Sequence, residues 1–304
     1  MNTESELRSG ARIFWGRVLQ FPLVRIVLAI LAIAIPFAIV SLPFNLFVTD
    51  KSLRRIGAVL LTAVILGAYW GYVRIAEKRR VTELSGAHAA REISIGLSLG
   101  ALLLTLTIGI LAAVGAFQIT GNNGWPIMLA TIPGFILTGV LEEVVMRGIL
   151  FRILEQWLGS WIALAISAAI FGLLHLLNPG ATLLNAAAIS IEGGVLLAAA
   201  YMVTRRLWLC IGIHIAWNFT QGGVFSVAVS GGASTGLLRA KMAGPDWLTG
   251  GSFGVEASVL ALAVCAAAGV SLLGIAAKKG RIVPSYARPA RRSSVTMARN
   301  PPAQ

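Results

Sequence analysis

Residues 125–157 read WPIMLATIPGFILTGVLEEVVMRGILFRILEQW, and Glu142, Glu143 and Arg147 stand near the middle of that run. The apolar residues on either side give it the length of a membrane-spanning helix. An ionisable residue at the centre of such a helix costs roughly 2.5–3.5 kcal/mol on insertion scales, so three unpaired ones would cost about 7–10 kcal/mol. The segment therefore needs partners, a water-filled cavity, or both. Charge held inside a membrane marks a functional site by default.

Working outward, the rest of the chain is of the same kind. Of its 304 residues 57% are hydrophobic and only 12% charged, with a mean hydropathy of +0.82. Long apolar runs recur throughout, which excludes a soluble domain and predicts an all-α, polytopic bundle of about eight transmembrane helices. The runs are continuous rather than alternating, so strands are not expected, and backbone groups in lipid must be satisfied within their own segment. The spans are predicted at about 22–48 (broken by Pro36 and Pro43), 56–76, 93–119, 126–154, 158–177, 182–203, 206–228 and 255–277. This divides the chain into an N-terminal cytoplasmic or interfacial segment, 1–21, a transmembrane domain, 22–277, and a basic, Pro/Ser/Ala-rich tail, 278–304, expected to be disordered. No cleavable signal peptide is read at the N-terminus, because the first apolar run is too long and leads into further spans.

The net charge of +13 does not point to nucleic acid. The basic residues fall in short clusters between apolar runs, as the positive-inside rule requires. With both termini cytoplasmic, all but five of the 25 Lys and Arg residues lie on or beside the cytoplasmic face; the exceptions are Lys51, Arg54, Arg55, Arg239 and Lys241. Cys210 and Cys265 both lie in apolar runs and read as small core residues, with no disulfide or metal-type spacing.

Helical geometry separates the two glutamates. Glu143 and Arg147 are four apart and share a face. Glu142 is turned by about 100° and shares its face with Thr138 and Met146. Glu143–Arg147 is thus assigned to structure and Glu142 to chemistry; the bland alternative is that both glutamates share Arg147 in a buried network. Two of the chain's three histidines also lie deep in apolar runs. His175 closes F-G-L-L-H, with Phe171 one turn earlier, and His214 opens H-I-A-W-N, with Asn218 one turn later. A lone buried histidine is usually a satisfied core residue. Two of them, an asparagine and a glutamate pair in a chain that otherwise avoids polarity point to one polar centre facing the bundle interior. A carboxylate and an imidazole can deprotonate a water, and a second imidazole with an amide can stabilise an oxyanion. The same inventory offers zinc ligands in Glu142, His175 and His214, although H-E-x-x-H is absent. His88 lies in a charged loop and reads as solvated. Glu192, in S-I-E-G-G, either lines the cavity or hydrates a glycine-loosened helix end. Glu256 reads as a structural anion at the start of the last span.

E-E-x-x-x-R, F-x-x-x-H and H-x-x-x-N, in this order on successive spans, resemble the CAAX protease and bacteriocin-processing (CPBP, or Abi) family of intramembrane endopeptidases. The likeness covers about residues 78–228, including E-L-S-G at 83–86, and GPDWLTGGSFGVEAS at 244–258 looks like bacterial members. The resemblance implies that Glu142 activates water with His175, that His214 and Asn218 stabilise the oxyanion, and that Glu143, Arg147 and Phe171 support them. It implies a membrane-associated peptide substrate, prenylated and CAAX-like or of bacteriocin type, and a multi-pass protein of the bacterial inner membrane. It leaves open a glutamate-type mechanism without cofactor or a zinc-dependent one. Two other classes compete. One is a non-enzymatic immunity or partner protein of the same fold, disfavoured by the intact motif residues. The other is a small transporter, disfavoured because no half of the chain is repeated.

Overall fold

The computed structural model describes residues 18–285, so the expectations for the N-terminal segment up to residue 17 and for the tail beyond residue 285 lie outside the described residues. Eight helices form the bundle: α1 (Pro22–Phe47) and α2 (Lys51–Ile75); α3 (Ala89–Ala113); α4 (Trp125–Leu158), α5 (Ser160–Leu177) and α6 (Leu183–Thr204); α7 (Trp208–Asn218), continued by the wider turn Phe219–Val224; and α8 (Val259–Lys278). Seven of them are long and apolar enough to cross a membrane. The chain is an integral, multi-pass membrane protein.

The exception is α7. With its wide turn it reaches about 25 Å at 1.5 Å per residue, short of a hydrocarbon core of about 30 Å. Connectivity nevertheless makes it a crossing. Two strands, β1 (Phe117–Asn122) and β2 (Leu238–Met242), pair antiparallel between α3 and α4 and between α7 and α8. At the opposite end the Ser160 N–H donates to the Val283 carbonyl at 2.9 Å. Each pairing joins segments separated by four helices that include α7. Paired backbone segments lie on one side of the membrane, so the number of crossings between them is even and α7 must span.

The strands correct the expectation that none would form, and residues 117–119, read as the end of the third span, belong to β1. The alternating burial that marks a strand is too weak in six residues to stand out beside a span. The expected break at Pro36 and Pro43 is also corrected, since α1 runs through both. Membrane helices tolerate proline where neighbouring groups take up the freed backbone positions.

The ends of the bundle are chemically distinct. At one end the carboxylate of Glu77 receives Arg25 and Arg79 at 2.7 Å and Arg152 at 3.0 Å, while Glu83 receives Arg79 at 2.8 Å and Arg152 at 3.3 Å. Arg205–Glu155 and Arg206–Glu92 extend this ionic belt. Burial opposes the charge on Glu77, but the field of Arg152 and the hydrogen bonds from Arg152, Arg25 and Arg79 outweigh it and hold the carboxyl down at about 2. The belt's contribution to stability is therefore complete above the ordinary carboxylate range and is lost as the pH falls towards 2.

Inside the bundle, α7 is wedged against α3. Gly96 and Gly100, four apart on α3, meet the backbone of α7 directly: a Cβ on Gly96 would lie 2.5 Å from the Leu209 carbonyl oxygen, and one on Gly100 2.3 Å from that of Ile213. This is small-residue packing, which brings helices together where no hydrophobic effect drives them. It fixes the height and rotation of α7 next to His214.

The crossing count is checked by cysteines introduced at the exposed positions Ala87, Ala243 and Val283 and labelled with a membrane-impermeant thiol reagent. Ala87→Cys and Val283→Cys are expected to label from one side and Ala243→Cys from the other. Labelling of Ala243→Cys from the same side as Val283→Cys would remove α8 as a span, and labelling of Ala243→Cys from the same side as Ala87→Cys would make the crossings over α3–α7 even and remove α7.

Candidate active site

The charged centre is built on three helices that each lose α-helical regularity where they meet. α4 widens to π-helical hydrogen bonding over Val144–Phe151, immediately after Glu142 and Glu143. α6 does so over Ser190–Val195, around Glu192, and α7 over Phe219–Val224, immediately after Asn218. Such widened turns recur at functional sites because they re-aim neighbouring side chains.

Glu143 is fully buried, and its Oε1 accepts from Arg147 Nη1 at 2.8 Å and from His214 Nδ1 at 2.8 Å. Arg147, 2% exposed, also donates to the carbonyls of Gly193 and Gly194 on α6 and lies 5.0 Å from the centre of the Phe171 ring. One ion pair within α4 thus ties together α4, α5, α6 and α7. A Cβ on Gly193 would stand 2.2 Å from that same ring, so this part of α6 has to be glycine for Phe171 and Arg147 to meet its backbone.

Glu142 points elsewhere. Its side chain is 30% exposed and lines a cavity of about 290 Å3 with Val145, Met146, Phe171, Leu174, His175 and Asn178. His175 terminates the α-helical part of α5; its Nδ1 lies 2.8 Å from the Phe171 carbonyl oxygen, so the N–H there donates and Nε2 is left as an acceptor. His214 Nε2 stands 3.7 Å from Glu142 Oε2. His214 and Asn218 line a second, smaller cavity of about 50 Å3, which shares Phe171 and His175 with the first. Five of the seven residues singled out by the motifs, Glu142, Phe171, His175, His214 and Asn218, therefore line two adjoining cavities, and the buried Glu143 and Arg147 hold His214 and Phe171 from behind.

The sequence did not announce the Glu143–His214 contact, because residues 71 apart on different helices have no spacing signal. It also missed Glu256. That residue is not in the last span but in a short turn before it, Val255–Ala257, where it lines the smaller cavity and accepts from Gln221 Nε2 at 2.7 Å and from the Ser230 N–H. Burial pushes its carboxyl up to about 7, against the hydrogen bonds from Ser230 and Gln221. Glu192, left between two readings, lines the same cavity, and neither of its oxygens has a hydrogen-bond partner among the described residues. His88 is exposed in its loop, as expected. Among the described residues no group of three or more His, Cys, Asp or Glu side chains is arranged to hold a metal ion.

Residues 123–220, which run from the start of α4 into the wide turn after α7, match the family model described as "Type II CAAX prenyl endopeptidase Rce1-like". The likeness is to this stretch, about a third of the chain. The matched stretch contains every motif residue, from Glu142 to Asn218, and the family it is similar to is one of CAAX-type prenyl endopeptidases. No curated protein and no solved structure shows significant similarity to the chain.

The buried pair can be measured by a double-mutant cycle. Glu143→Gln and Arg147→Met are each expected to cost about 3–5 kcal/mol in mixed micelles, since each strands a buried charge. The double variant should recover at least about 1 kcal/mol of the summed loss. Additive losses would show that the two side chains do not depend on one another.

Proposed function

We propose that the protein is an intramembrane endopeptidase in which Glu142 activates the attacking water. The observation that carries this reading is the division of the glutamates: Glu143 is sealed and paired, whereas Glu142 shares an accessible cavity with His175. A water between them meets two acceptors, the Glu142 carboxylate and His175 Nε2, and donates a hydrogen bond to each. Its lone pair is then free to attack a peptide carbonyl carbon. Glu142 takes the proton, and the carbonyl oxygen becomes an oxyanion. His214 and Asn218 donate to that oxygen from the adjoining cavity, and one such donor is typically worth about 3–4 kcal/mol. Because His214 already donates from Nδ1 to Glu143, it donates from Nε2 as an imidazolium. In that state the charges of Glu142, Glu143, Arg147 and His214 sum to zero, as a low-dielectric site favours. Collapse of the intermediate breaks the C–N bond as Glu142 returns the proton to the leaving amine.

The reading assigns no cofactor. Glu143 fixes His214 from behind, as carboxylates also do for zinc-ligating histidines, so Glu142, His175 and His214 are the residues that would hold zinc in a metal-dependent version. Asn218, an uncommon zinc ligand but a good amide donor, favours the oxyanion role. The substrate is a membrane-associated peptide, and a lateral entry route suits it: Leu174, at the cavity's edge, is 51% exposed and Leu177 beyond it is 84% exposed. Both termini are placed in the cytoplasm, because the ionic belt at the start of α1 and the end of α8 lies at the lysine- and arginine-rich end.

The experiment is turnover of fluorogenic membrane peptides, with and without a prenylated C-terminal cysteine motif, before and after exhaustive chelation, with metal content measured on the same samples. Cleavage that survives stripping is the expected result. Cleavage that vanishes and returns with stoichiometric zinc would overturn the metal-free mechanism. No cleavage of either peptide class by the metal-replete protein would count against the peptidase.

A further inference from the structure

The smaller cavity holds more acidity than hydrolysis requires. Glu192 is 5% exposed, with both carboxyl oxygens unpartnered, and Glu256 is 2% exposed. Gln221, which holds Glu256, has its own side-chain oxygen buried and unpartnered. Both oxygens of Glu192 and the side-chain oxygen of Gln221 thus have nothing to accept from among the described residues, beside a Glu256 that accepts only from Gln221 and the Ser230 N–H. Among the described residues no Lys or Arg lines the cavity, and Arg147 is committed to Glu143 and to the carbonyls of Gly193 and Gly194. A buried carboxyl group without a partner is costly, and a protein keeps such a group where a ligand completes it.

Resting on the peptidase reading above, we propose that Glu192 and Glu256 form a specificity subsite that takes a cationic side chain, lysine or arginine, next to the scissile bond of the substrate. The cavity places the carboxylates beside His214 and Asn218, where the reacting carbonyl would lie. Leu196, Leu197, Ile213 and Trp217 supply an apolar wall suited to the methylene stem of such a side chain, with the acid at its end. The donor set favours an organic cation over a metal ion, because no three ligating side chains converge there. Glu192 is held in the widened turn of α6, immediately before the glycines that bind Arg147, so the subsite and the catalytic centre share one scaffold.

The test has an arm that does not depend on peptidase activity. The thermal stability of the full chain in detergent micelles is measured against rising n-pentylammonium and, separately, 1-pentanol. The wild type is expected to be stabilised saturably by the ammonium and not by the alcohol. Glu192→Gln, which keeps the shape and removes the charge, should abolish the shift, and Glu142→Gln should retain it. In the second arm, peptides carrying lysine or norleucine at each position around the cleavage site are compared. A lysine preference of at least about tenfold in kcat/KM is expected at one position, since one well-formed charge contact of about 1.4 kcal/mol gives that factor, and it should flatten in Glu192→Gln. An ammonium shift without cleavage of any peptide would retain the site and overturn the peptidase reading. Equal responses of the wild type to ammonium and alcohol, or a shift that survives Glu192→Gln, would overturn the subsite.

Discussion

Everything around the charged centre depends on one buried carboxylate. Glu143 is closed off from solvent, and a single oxygen of it serves both Arg147 and His214 at 2.8 Å. Remove it and Arg147 is stranded among Phe171 and the glycine carbonyls of α6, while His214 loses the partner that orients its ring and matches its charge. The cost of burying these charges, several kcal/mol per ion, is offset because the guanidinium is met on several sides by a carboxylate, two carbonyls and a ring face. The result is a rigid post on which the neighbouring Glu142 is left free.

The scaffold is arranged to make that post possible. Glycines on α3 and α6 let helix backbones and the Phe171 ring approach closely. The widened turns in α4, α6 and α7 fall at Glu143, Glu192 and Asn218. At one end, the ionic belt of Glu77, Glu83, Arg79 and Arg152 fixes α2 against the end of α4; at the other, the β1–β2 pair ties the loops that flank the domain.

Much of this could be read in the sequence, and the rest could not for definable reasons. The helical bundle follows from unbroken apolar runs. The shared face of Glu143 and Arg147 follows from a spacing of four. What escaped were contacts between helices, such as Glu143 with His214, because sequence periodicity describes one helix at a time. β1 escaped because six residues at the end of an apolar run resemble its continuation, and α1 was expected to break because a membrane helix through two prolines relies on neighbours that the sequence does not display. Glu256 was legible as an anion but not as part of a cavity, since its position depends on how residues 225–258 fold back between Gln221 and Ser230.

The central claim is that adjacent glutamates perform separate tasks, and the most direct measurement is folded stability and turnover together for Glu142→Gln and Glu143→Gln. The account requires Glu142→Gln to unfold at the wild-type temperature while losing about 100-fold or more in kcat, as loss of a general base does. It requires Glu143→Gln to lose stability on the scale of a broken buried pair. A Glu142→Gln protein that unfolds, beside a Glu143→Gln protein that is stable and active, would contradict it.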